Sequence, residues 1–68
     1  MNNIPFTEED VKIYLDRCIN HWRDRKIEAC EWDKEEEELI ASCYIDAFQS
    51  IRVSVFGTLL KKRDNEGN

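Results

Sequence analysis

Glycine and proline are almost missing from this chain: Gly57, Gly67 and Pro5 are all that 68 residues contain. A phosphate cradle needs several glycines whose backbone can approach the anion, so no phosphate loop is encoded. A cysteine nucleophile needs an activating base and an oxyanion hole. The single histidine, His21, could serve as the base, but no glycine-rich turn exists to build the rest. The chain therefore reads as noncatalytic. Basic charge is also short, with 10 Lys and Arg against 15 Asp and Glu and a net charge of −5. Nonspecific nucleic-acid binding needs a basic stripe, so direct binding of DNA or RNA is not expected.

The cysteines, Cys18, Cys30 and Cys43, are odd in number, and no secretory leader is expected, since the N-terminus runs into Thr7, Glu8, Glu9 and Asp10. Reduced thiols in a cytoplasm fit that pattern. Cys18 and His21 have the spacing of two metal ligands on one helix face, yet two ligands do not make a site. Cys30 and Cys43 have no matching partners. The reading is a core cysteine beside a flanking histidine, with no metal and no cofactor.

What is present is helical. A chain this short forms one domain and gains only a few kcal/mol of net stability from its own core. Residues 1–60 are expected to form that domain, with 61–68 as a mobile polar tail. Helix 1 is predicted over about 8–29. Thr7 is its N-cap, Asp10 completes a capping box, Phe6 and Val11 are placed as a hydrophobic staple, and Pro5 stiffens the approach. Val11, Tyr14, Leu15, Cys18, Ile19, Trp22 and Ala29 fall within an arc of roughly 140° at ~100° per residue. No glycine or proline marks the end of this helix. Asp33 with Glu36 offers a second capping box, so helix 2 is predicted over about 34–56, closed by Gly57 as a left-handed cap. One continuous helix is the alternative. Ile51, Val53 and Val55 alternate like a strand, but the chain offers no partner strand, and the segment is read as helical.

Residues 39–60 hold 14 apolar residues in 22, with only Asp46 and Arg52 charged. The stretch is long enough to span a bilayer, but Asp46, Gln49 and Arg52 interrupt it, and intramembrane charge is costly. No membrane role is expected. On a helical wheel, helix 2 has an apolar or small arc of about 260°. Cys43, Ala47, Ser50 and Ser54 make a small edge. Ile40, Tyr44, Phe48, Ile51 and Val55 make a bulky middle. Ala41, Ile45 and Phe56 make the far edge, with Arg52 among them. Helix 1 can cover one such stripe, and large exposed apolar patches are rare on soluble monomers. The expected architecture is an all-α antiparallel helical hairpin that self-associates into a bundle, as a dimer or higher oligomer. Its interface would comprise Cys43, Ala47, Ser50, Ser54, Ile40, Ile51, Phe48 and Val55.

Two further clusters could bind something. Glu31, Asp33 and Glu35 to Glu38 form an acidic run, read as a solvated helix start rather than a mimic of a nucleic-acid backbone. Arg17, Arg23, Arg25, Trp22, Tyr44 and Arg52 are the candidate ligand set, able in principle to hold an anionic, stackable nucleotide. Arg52 is the cation inside the apolar arc. Burying it unpaired is costly, so the favoured reading is an ion pair with a carboxylate, such as Asp46 of a neighbouring chain.

The segment from Tyr44 through Ala47, Gln49, Arg52 and Ser54 to Gly57 resembles the C-terminal signature of short phage and prophage proteins of unassigned function. The run Cys18, Ile19, Asn20, His21, Trp22, Arg23 is similar to the first half of such proteins. The resemblance covers about half of the chain. It implies a small accessory protein made in the bacterial host cytoplasm, and no activity. Such proteins act stoichiometrically, which points to binding and inhibiting or modulating a bacterial host factor, with an anti-defence role. The alternatives are a sponge that sequesters an anionic nucleotide between subunits, or a gene-control or packaging accessory.

Overall fold

The computed structural model describes residues 6–62, and these form a helical hairpin. Helix α1 spans Glu8–Glu31 and helix α2 spans Glu35–Phe56. The expected all-α antiparallel hairpin is what the chain adopts, and the two helices pack against each other along their length. The strand alternative for Ile51 to Val55 is not realised, because that segment completes α2.

The start of α1 follows from its cap. Thr7 N–H donates to Asp10 Oδ2 and Asp10 N–H donates to Thr7 Oγ1, both at 3.1 Å. Glu8, Glu9 and Asp10 place negative charge at the positive end of the helix dipole. The expected staple contributes little, since Phe6 remains 74% exposed. Pro5 lies outside the described residues, as do residues 63–68 of the expected mobile tail.

The end of α1 departs from expectation. Asp33 does not cap α2. It sits at φ 56°, in the left-handed region. Lys34 N–H donates to Ala29 O at 2.8 Å and Asp33 N–H donates to Cys30 O at 3.3 Å. These two bonds are a Schellman closure with aspartate where glycine is usual. Aspartate tolerates the left-handed region better than most residues, which is why the break could form without a glycine. Lys34 becomes the N-cap of α2 and provides no side-chain cap bond. The capping box expected from Asp33 and Glu36 is therefore absent. Gly57 closes α2 as expected, at φ 83°, with its N–H donating to Val53 O at 2.8 Å.

The core is thin. Among the described residues the buried apolar side chains are Leu15, Ile19, Ala29 and Ala41, and one charged residue, Arg52, is buried with them. Helix α1 packs on the far edge of α2, the one with Ala41, Ile45, Arg52 and Phe56. The small edge stays uncovered, and so does the bulky middle except for Phe48, which is half-buried. Ile40, Tyr44, Ile51 and Val55 are 45–56% exposed. Cys43, Ala47, Ser50 and Ser54 are exposed too. By length and composition α2 is long and apolar enough to cross a membrane.

Candidate binding surface

The hairpin has two flanks, one on each side of the helix–helix seam. One is tied down by the chain that follows Gly57. Arg52 donates from Nε to Asp16 Oδ1 at 2.7 Å, and from Nη1 to Thr58 O at 2.8 Å and Thr58 Oγ1 at 2.9 Å. Gln49 brackets Leu60: its Nε2 donates to Leu60 O at 3.2 Å, and its Oε1 accepts from Leu60 N–H at 2.9 Å. Arg23 donates from Nη2 to Leu60 O at 2.8 Å and from Nη1 to Lys61 O at 3.0 Å. Its Nη1 also donates to Asn20 Oδ1 at 3.2 Å. Residues 58–61 thus form a strap held by both helices. The glycine turn makes this reversal possible, because it points the chain back along the hairpin.

The other flank is aromatic and open. Trp22 of α1 stacks on Tyr44 of α2, with ring centroids 4.2 Å apart and planes within 6°. Phe48 follows at 6.4 Å from Tyr44, and His21 meets the edge of Trp22 at 5.2 Å. Tyr14 continues the row on α1 and is 65% exposed. Its hydroxyl hydrogen-bonds the Cys18 thiol, whose proximity raises the phenol above its ordinary pKa. Arg25 joins Trp22, Ile40 and Glu37 around a shallow hollow at the turn end of this flank.

The six candidate ligand residues are therefore divided. Trp22, Tyr44 and Arg25 lie together on the open flank. Arg23 holds the strap on the opposite one, and Arg17 is exposed. Arg52 has the carboxylate partner that its burial requires. That partner is Asp16 of the same chain, not Asp46 of a neighbour. Asp16, Gln49 and Thr58 were not among the candidate ligand or interface residues expected from sequence. The Asp16 pairing did leave a signal. In an antiparallel hairpin turning at 32–34, position 16 falls opposite the 50–52 region of the second helix.

Cys18 is half-buried, Cys30 and Cys43 are exposed, and all three are free thiols. Among the described residues no group of three or more His, Cys, Asp or Glu side chains converges as a metal site would require. The acidic run sits at the turn end. Glu35, Glu36 and Glu37 are exposed and Glu38 is half-buried, with a loose 4.0 Å contact between Lys34 and Glu37. No known protein family, curated protein or solved structure matches the chain.

Proposed function

We propose that the protein is a noncatalytic, phage-type accessory protein of the bacterial cytoplasm. It self-associates through α2 and docks on a bacterial host factor, which it inhibits or modulates. The observation that carries this reading is the uncovered apolar surface. Ile40, Tyr44, Ile51 and Val55 of α2 are each about half exposed or more than two-fifths exposed, next to a stacked Trp22–Tyr44 pair. A surface of this kind on so small a fold is a binding surface, because water contact with it is unfavourable in isolation. The phage-type setting rests on the resemblance carried by Cys18 to Arg23 and Tyr44 to Gly57.

A nucleotide sponge is less well supported. Its central cation, Arg52, already uses Nε and Nη1 on Asp16 and Thr58. The remaining set of Trp22, Arg25 and Tyr44 provides one cation beside a hollow that is shared with Glu37.

The test is capture of a host protein from bacterial cells, followed by reconstitution of the complex from purified components. Tyr14→Glu with His21→Glu places charge on the open flank at positions outside α2. The expected result is at least a tenfold weaker complex with unchanged helix content, since an apolar contact would then face unpaired carboxylates. Unchanged affinity would remove the open flank from the docking surface. A rise in melting temperature with nucleotide that disappears in Arg25→Ala would favour the sponge.

A further inference from the structure

The exposed face of α2 centred on Ala47 has a register suited to a second copy of itself. Ala47 lies at the centre of that face, and the residues around it are arranged symmetrically by position and oppositely by size. Seven residues on either side stand Ile40 and Ser54. Four residues on either side stand Cys43 and Ile51. Three residues on either side stand Tyr44 and Ser50. All of these side chains are exposed on the hairpin. We infer that a second copy of this chain covers the face, with the two α2 helices antiparallel and a two-fold axis at Ala47. This rests on the self-association proposed above and assigns its geometry.

The antiparallel pairing sets each large side chain opposite a small one. Ile40 meets Ser54 of the partner subunit, Ile51 meets the partner's Cys43, and Tyr44 meets the partner's Ser50. Ala47 meets its own copy, which lets the helix axes approach closely. Beyond this zone Leu39 meets the partner's Val55. A two-fold axis makes every contact away from the axis occur twice, as an isologous interface requires. A parallel pair in register would instead set Ile40, Tyr44 and Ile51 against their own copies and leave gaps at Ser50 and Ser54.

Charge decides in the same direction. Glu35 to Glu38 occupy the first turn of α2, and Glu36 lies on the face in question. Parallel helices would bring both acidic turns together, with like charges a few Å apart. Antiparallel helices separate them by the length of α2, ~33 Å for 22 residues at ~1.5 Å per residue. They also set the two helix dipoles antiparallel, each positive N-terminal end beside the partner's negative C-terminal end. A specific stable interface needs ~600 Å² or more from each copy, and Leu39, Ile40, Tyr44, Ile51 and Val55, each 45–65% exposed, are the large apolar side chains that α2 offers toward it.

Cysteine cross-linking distinguishes the arrangements. Across the proposed axis the two Cys43 residues are eight positions out of step, ~12 Å along the helix, and a disulfide requires Cα atoms within ~7 Å. In the full chain carrying Cys18→Ala and Cys30→Ser, mild oxidation should leave Cys43 uncoupled. With Cys43→Ser and Ala47→Cys added, the same treatment should give a covalent dimer. The unmodified chain should show twice the chain mass by light scattering, and Ile51→Glu should raise the dimer dissociation constant at least 100-fold. A covalent dimer through Cys43 but not through position 47 would overturn the antiparallel register while leaving self-association intact. A monomer of the unmodified chain at millimolar concentration would overturn the inference whatever the variants do. Neither result bears on docking to a host factor, which the reconstitution experiment decides separately.

Discussion

Arg52 shows how one residue can join two helices and a strap. Its side chain is 6% exposed, its Nε donates to Asp16 Oδ1, and its Nη1 donates to both Thr58 oxygens. A guanidinium suits this position because its planar fork presents several donors in fixed directions. A buried charge that loses its partner costs more than the pair itself contributes. Arg52→Ala is expected to destabilise the fold by about 3 kcal/mol, through lost packing, an uncompensated Asp16 and a released Thr58. Asp16 is 28% exposed, so water can partly replace the arginine around it. Asp16→Ala should therefore cost less, about 2 kcal/mol, mostly from the arginine left buried. Urea titration of the two single variants and the double variant measures the coupling. The double variant should lose clearly less than the two singles together, and strict additivity would mean that the pair does not interact.

At the scale of elements, the least ordinary feature is a helix break without glycine. Asp33 holds the left-handed position at φ 56° that closes α1. An L-residue there carries a steric cost of roughly 1 kcal/mol that glycine avoids. Asp33→Gly should stabilise the hairpin by about 0.5 kcal/mol, the steric gain being partly offset by the freer unfolded chain. Asp33→Ala should destabilise it by about 1 kcal/mol. Thermal melts followed by circular dichroism read both. If both variants destabilise equally, the aspartate side chain matters for a reason other than its backbone. The strap is a second element that helical periodicity does not announce. Residues 58–61 form no regular structure, and their order depends on three side chains, Arg23, Gln49 and Arg52, that reach them from the helices.

At the scale of the whole molecule, the core is too small for the apolar surface that the chain carries. Ile19 is the single large side chain buried to under 2% among the described residues, whereas Ile40, Tyr44, Ile51 and Val55 remain about half exposed. If a second copy covers α2, folding and association are linked, and stability depends on protein concentration. The melting temperature of the unmodified chain should rise by several degrees between micromolar and millimolar protein. That rise should vanish in Ile51→Glu. A melting temperature that is independent of concentration, with the mass of a monomer, would leave the exposed face to a foreign partner.

The local rules that act within a few residues were legible in the chain itself. The Thr7 and Asp10 box, the 3.6-residue stripe of α1, the Gly57 cap and the excess of apolar residues on α2 all depend on neighbours within one or two turns. Sequence spacing measures such neighbours directly. The uncovered α2 face was legible for the same reason, because one helix can bury only one stripe of another. Three matters were left to the tertiary structure: which stripe α1 would choose, which carboxylate Arg52 would meet, and where the chain after Gly57 would lie. Each is a choice between edges of similar apolarity or rests on contacts between residues 11 to 38 positions apart, joined by the Arg52 to Thr58 contact across the Gly57 turn. Such contacts are settled by the register of two helices packed side by side. That register put Asp16 within reach of Arg52 and Arg23 within reach of Leu60, and it turned α2 so that Tyr44, Ala47 and Ile51 face outward.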